Sequence, residues 1–311
     1  MRTRLLTGFL ATVLAASCQE VEIVTRDIEN FWRAYDTSEP GARTEAFQRI
    51  YFDQASPGLR DFIRLRIGSA AQLAATVDRF PRFYRSIRKA TESIENHRKV
   101  LNLYAERFRG LHPEAKFPTV YFLIGRLSSG GTVGDSGLLI GTEVFSLGPD
   151  VDASEIQEQS PTFFRAMGSS HQLPQIVIHE LVHAQVELRV QPRIPNLMTI
   201  TLLEGAADFI ANLVTGRTGA KARADFGQAN RDDLFERFRK DLIATPNSTD
   251  GWLYNYATAK DEADLGYWIG EEICRDYLAR SVDKQAALRN ILTLLDPEAI
   301  VRGSSFAYLL P

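Results

Sequence analysis

Cysteine is nearly absent from this chain of 311 residues: only Cys18 and Cys274 occur. Two such residues exclude a disulfide-dense scaffold and a cysteine-rich metal cluster. Histidine is scarce as well, at five residues, so any imidazole chemistry draws on very few positions. Charge of one sign is not in excess, the net value being −3, and no RNA- or DNA-binding motif is found, so nucleic acid is not expected as a partner. The glycine-rich stretch 128–137 lacks a phosphate-loop lysine, and a phosphate-cradling role is not expected of it. No internal repeat or low-complexity linker divides the chain. Hydrophobic content of 44 % and charged content of 24 % are ordinary for a globular protein, with ample length for a core.

What the chain does have is concentrated in His179-Glu180-Leu181-Val182-His183. The surrounding stretch from Pro174 to Leu188 reads as one helix, and its apolar residues leave no wide polar face, so it belongs in the core. Two histidines four apart project from one helix face at a distance suited to one Zn²⁺. Glu180 is placed to reach a water on that metal and take its proton. Two imidazoles and a carboxylate on an otherwise apolar helix need partners, and zinc is the simplest one.

A catalytic zinc takes three protein ligands and keeps one position open. The metzincin continuation is absent, with Val186 where its glycine would stand and Arg189 where its third histidine would stand. His97, His112 and His171 remain as histidine candidates, and His171, eight residues before His179, stays open as a surrogate ligand or a stabiliser of the transition state. A carboxylate is the better expectation. Glu204 lies on a second apolar helix, Thr199 to Val214, with Asp208 one turn on. Neither acid has a cation at i±3 or i±4 there, and buried unpaired carboxylates are costly, so something positive should meet them. With Glu204 on zinc, Asp208 can accept the N–H of a liganding histidine. Gly205, Ala206 and Ala207 are small enough for close packing against the first helix.

His-Glu-x-x-His followed about twenty residues later by Glu-x-x-x-Asp resembles the gluzincin metallopeptidases, of which thermolysin is the familiar member. His179-Glu-Leu-Val-His-Ala184 with Leu203-Glu-Gly-Ala-Ala-Asp-Phe209 is closer still to a family of predicted zinc-dependent proteases of bacterial lipoproteins, related to gliding-motility lipoproteins. Asp27 to Asp36, Phe47 to Tyr51, Ser56 to Ile63 and Leu265 to Gly270 also look like that group, so the resemblance spans most of residues 27–278. It implies one Zn²⁺ per chain, a zincin-like core and a peptide or protein substrate. The same resemblance motivates an alternative, a non-catalytic envelope lipoprotein with a structural or vestigial zinc site. A zinc-dependent hydrolase of non-peptide amides would use the same chemistry.

The first residues form a targeting segment: basic Met1 to Arg4, apolar Leu5 to Ala16, then Ser17-Cys18. The apolar run is shorter than the roughly 20 residues that span a bilayer, and reads as a signal peptide over residues 1–17. Small residues before Cys18 resemble the bacterial lipobox, which implies lipidation of Cys18, an anchor in the membrane, and a place in the bacterial cell envelope facing the periplasm or exterior. Ordinary cleavage near Ala16 or Ser17 is the competing reading, with a retained anchor a further one. Cys274 is then left without a partner and is expected to be a small buried hydrophobe.

The fold class expected is α+β, mostly α-helical: a zincin-like core with a small antiparallel β-hairpin, and a helical N-terminal half. A single domain from residue 27 to 311 would comprise a helical part, 27–112, and a zinc-bearing part, 117–295. Residues 20–26 are a tether or a short extended piece. Arg79, Arg82, Arg85, Arg88 and Lys89 are expected to form a solvated face answered by Glu92, Glu95 and Asp78, and His97 and His112 to lie at the surface. Phe117 to Gly125 and Leu138 to Phe145 read as a strand and its return across the glycine loop. In thermolysin-like enzymes a sheet edge near the zinc binds extended peptide, and this hairpin is the candidate for that role. Phe226 to Ile243 reads as one amphipathic helix. Gly266 and Gly270 suggest close helix packing. An oxyanion donor is needed; Tyr267, between those glycines, is the first choice, with Tyr254 and Tyr256 behind it.

Overall fold

The computed structural model describes residues 20–186 and 194–310. Cys18 and the targeting segment lie outside the described residues, as do Arg189 and the end of the stretch expected to continue the histidine helix. Helices dominate, and a four-stranded mixed sheet is set between the two helical parts.

From Arg26 to Leu111 the chain forms short helices punctuated where expected, at Ser56-Pro57 and at Phe80-Pro81. Ser56 caps its helix by accepting the amide of Leu59. This part buries large rings: Phe31 meets Trp32, Phe47 and Tyr51 at centroid separations of 5.0, 5.2 and 5.5 Å. Offset and edge-on pairs at these spacings add stabilisation beyond area burial. The basic run is a paired face: Arg88 bonds Asp36, Lys89 bonds Asp150 and Arg82 bonds Glu155. Its partners come mainly from acids distant in sequence, with Glu92 a looser neighbour of Arg88 at 3.8 Å.

The sheet has four strands: β1 (Ile23–Val24), β2 (Val120–Leu123), β3 (Gly131–Gly134) and β4 (Gly137–Gly141), in the order β1-β2-β4-β3. The expected hairpin is corrected here. β2 and β4 run parallel, with Val120 opposite Leu138 and Leu123 opposite Gly141. The glycine loop itself supplies β3, which pairs antiparallel with β4. The physical reason lies in burial. β2 and β4 are covered on both faces, which selects unbroken apolar runs rather than alternation, the pattern of parallel strands. β3 is the partly exposed edge. The extended piece before residue 27 is β1, and Val21 and Ile23 are buried, so the folded body begins earlier than expected.

Beyond the sheet, the helix Leu173–His183 packs on Asn196–Thr215, and the latter makes its most extensive contact with Leu265–Arg280. That contact is backbone against backbone: a Cβ on Gly205 would lie 2.3 Å from Gly270 Cα, and one on Gly270 would lie 2.0 Å from the Thr201 carbonyl oxygen. Asn196–Thr215 is apolar and long enough to cross a membrane, yet most of it is buried within the protein. The histidine helix ends at His183, where Gln185 turns its amide to the backbone of Lys116 at 2.9 and 3.0 Å. The single helix expected from Phe226 to Ile243 is two, Lys221–Ala229 and Arg231–Ala244, broken where the Asn230 side chain donates to the Phe226 carbonyl. The tail packs on the body through Phe306, stacked on Phe235 at 4.3 Å. Cys274 is a buried free thiol, and burial pushes its pKa up.

Candidate metal centre

Helix pitch places His179 and His183 on one face of Leu173–His183, and the crossing helix brings Glu204 opposite them. The two Nε2 atoms are 3.1 Å apart. Glu204 Oε2 lies 3.3 Å from His179 Nε2 and 3.4 Å from His183 Nε2. Metal bonds of about 2.0–2.2 Å at tetrahedral angles separate ligand atoms by roughly 3.3–3.6 Å. The two separations to Glu204 fall in that range and the one between the imidazoles, at 3.1 Å, lies just below it, so the three donors are spaced to hold one metal ion. Each is of the right chemical type, and Glu204 is buried, where a carboxylate needs positive company.

The outer partners follow. His179 Nδ1 lies 2.8 Å from Asp208 Oδ1, the position expected for Asp208. Asp208 Oδ2 takes a hydrogen bond from Arg223, on Lys221–Ala229. The cation that answers Asp208 thus comes from the next helix, fifteen residues on, while Glu204 is met by the two imidazoles. Sequence reasoning signalled that a positive group must exist without identifying Arg223. Burial lowers the pKa of His179, but its bonds to Asp208 and Glu204 outweigh that and raise it to about 10. Burial likewise works against ionised Glu204, and the two imidazoles prevail, holding it well below the usual carboxylate range. For Asp208, burial is outweighed by Arg223 and His179. His183 Nδ1 is buried with no hydrogen-bond partner among the described residues.

Two tyrosines border the ligands. The Tyr267 ring lies near-parallel to His179, at 6.2 Å and 18°, with the Arg223 guanidinium 4.6 Å from its centroid. Tyr254 donates its hydroxyl to Glu204 Oε1 at 2.5 Å and stands edge-on to Tyr267. Tyr256 is exposed and has no described bond to the ligand set. Glu180 lies beside the sheet edge, where a Cβ on Gly131 of β3 would fall 3.1 Å from its Oε1.

The remaining histidines are elsewhere. His171 is exposed at the start of the histidine helix, two turns from His179, and its electrostatic neighbour is His97. Burial lowers the His97 pKa, and the residue is half-buried rather than at the surface. His112, expected at the surface, is buried just past the end of Arg98–Leu111, where its amide still donates to the Phe108 carbonyl. Among the described residues, His179, His183 and Glu204 form the group able to hold a metal ion. No family model, curated protein or solved structure matches the chain.

Proposed function

We propose that this chain is a zinc-dependent metallopeptidase with a zincin-like core, acting on peptide or protein substrates. The observation that carries the reading is the triangle of 3.1, 3.3 and 3.4 Å formed by His179, His183 and Glu204 with Glu180 next to it in sequence. These three residues would hold the ion, which supplies an acidified water and polarises the scissile carbonyl. Glu180 takes the proton of the attacking water and delivers it to the leaving amine. Asp208, braced by Arg223, keeps His179 in the tautomer that presents Nε2. Tyr267 is the candidate donor to the developing oxyanion. β3, an edge strand beside Glu180, supports an extended substrate aligned by strand addition. Lipidation at Cys18 would tether the enzyme in the bacterial envelope, facing the periplasm or exterior.

The test is elemental analysis of the purified chain beside Glu204→Ala and Glu180→Gln, with cleavage of a broad peptide library. About one zinc per chain in the parent and in Glu180→Gln, much less in Glu204→Ala, and cleavage by the parent alone is the expected result. Full cleavage by Glu180→Gln would sink the mechanism. Zinc without cleavage by the parent would favour the non-catalytic envelope lipoprotein.

A further inference from the structure

Glu204 uses its two oxygens differently. Oε2 closes on both histidine nitrogens, while Oε1 receives the Tyr254 hydroxyl at 2.5 Å. A hydroxyl-to-carboxylate bond of that length is of the strong, charge-assisted kind. Carboxylates bind metals through one oxygen or through both. With both, Glu204 would occupy the position that a catalytic metal leaves open.

Tyr254 is held for this task by its backbone. It has φ +56°, a left-handed conformation that is unfavourable for a non-glycine residue. Such strain persists only where neighbours over-determine it. Here Trp252, Leu253 and Asn255 are all buried, while Tyr254 between them is 55 % exposed. The Gly266 amide donates to the Trp252 carbonyl at 2.7 Å, and Asn255 and Asp264 each accept the other's amide, at 2.7 and 3.0 Å. The loop is thus closed at its base, and its strained residue aims a phenol at Glu204. An exposed ring fills no core, so the hydroxyl is the part of the side chain that the geometry employs.

We propose that Tyr254 is a positioning residue that locks Glu204 into one-oxygen ligation and thereby keeps the fourth metal position open. This rests on the reading that His179, His183 and Glu204 hold one metal. Tyr254→Phe removes the hydroxyl alone and leaves the ring and loop in place. The test is cobalt(II) bound to the full-length chain, read by its visible absorption, which is strong for four-coordinate and weak for five-coordinate cobalt. The parent is expected to give the strong spectrum, and Tyr254→Phe a several-fold weaker one as Oε1 turns onto the metal. An unchanged four-coordinate spectrum in Tyr254→Phe overturns the proposal. Loss of cobalt binding in that variant also overturns it, by making Tyr254 a determinant of affinity rather than of ligation mode. A parent that binds no cobalt would instead fail the underlying metal reading.

Discussion

The two helical regions on either side of the sheet are built by opposite means. In the N-terminal region, helices are held apart by large rings, and Phe31, Phe47, Tyr51 and Tyr84 fill the space between them. Its buried hydroxyls are spent on backbone: Tyr51 donates to the Ile124 carbonyl at 2.7 Å and Tyr84 to that of Gly125 at 2.8 Å. In the C-terminal region, glycines let helices touch, and polar side chains bond one another across the short gap. Gln175 donates to Asn212 at 2.7 Å, and Asn212 to Glu271 at 3.0 Å. Gln175 is one turn before His179, Asn212 one turn after Asp208, and Glu271 one turn after Tyr267. The same crossing that forms the metal centre therefore continues below it as a polar column. An aromatic interface makes a stable body; a small-residue interface lets donors from different helices converge within ångströms.

This contrast can be broken from the N-terminal side first. Phe31→Ala should cost about 3–5 kcal/mol in denaturant unfolding, yet leave metal affinity unchanged in molecules still folded at low temperature. A parallel loss of metal would mean that the two regions are not separable.

The seam between them carries the next effect. Glu143, after β4, accepts the amides of Gly125 at 2.9 Å and Leu127 at 3.1 Å, on the segment that Tyr51 and Tyr84 also fasten. Burial outweighs these bonds and raises its pKa from 4.5 to about 7. The folded chain then holds the proton more tightly than the unfolded one, so stability falls as pH rises between those values, by about 3 kcal/mol in all. Unfolding measured at steps from pH 4.5 to 7.5 should give a slope that flattens in Glu143→Gln. An equal slope in both proteins would show that Glu143 is not its source.

From the C-terminal side, Gly205→Ala must push the Leu265–Arg280 backbone away, at about 1–3 kcal/mol. Here metal affinity should fall together with stability, unlike in Phe31→Ala, because Glu204 rides on the displaced turn. The smallest change, Asp208→Asn, is expected to weaken metal binding roughly 10–100-fold in chelator competition. Unchanged affinity would remove Asp208 from the support of His179.

Much of this was legible in advance, and the misses share a cause. Asp208 was expected beneath a histidine and lies there. The glycine pair was expected at a close contact: Gly270 meets Gly205 and Thr201, and Gly266 meets Trp252 and Leu253. Arg223 was foreseen only as an unspecified cation. Strand direction was misjudged because a hairpin and a parallel pair present similar short apolar runs; the lack of alternation in Val120 to Leu123 was the available signal.

What the sequence alone determined is whatever a helix dictates over a turn or two: His179 with His183 on one face, Glu204 above Asp208, and the need for a buried cation. Pitch sets these relations wherever the helix lies. Only the tertiary structure decided which oxygen of Glu204 faces the histidines, that Tyr254 claims the other, that Arg223 answers Asp208, and that β3 borders Glu180. Those partners are separated by many residues, and their meeting depends on how closely two backbones cross, which no local period encodes.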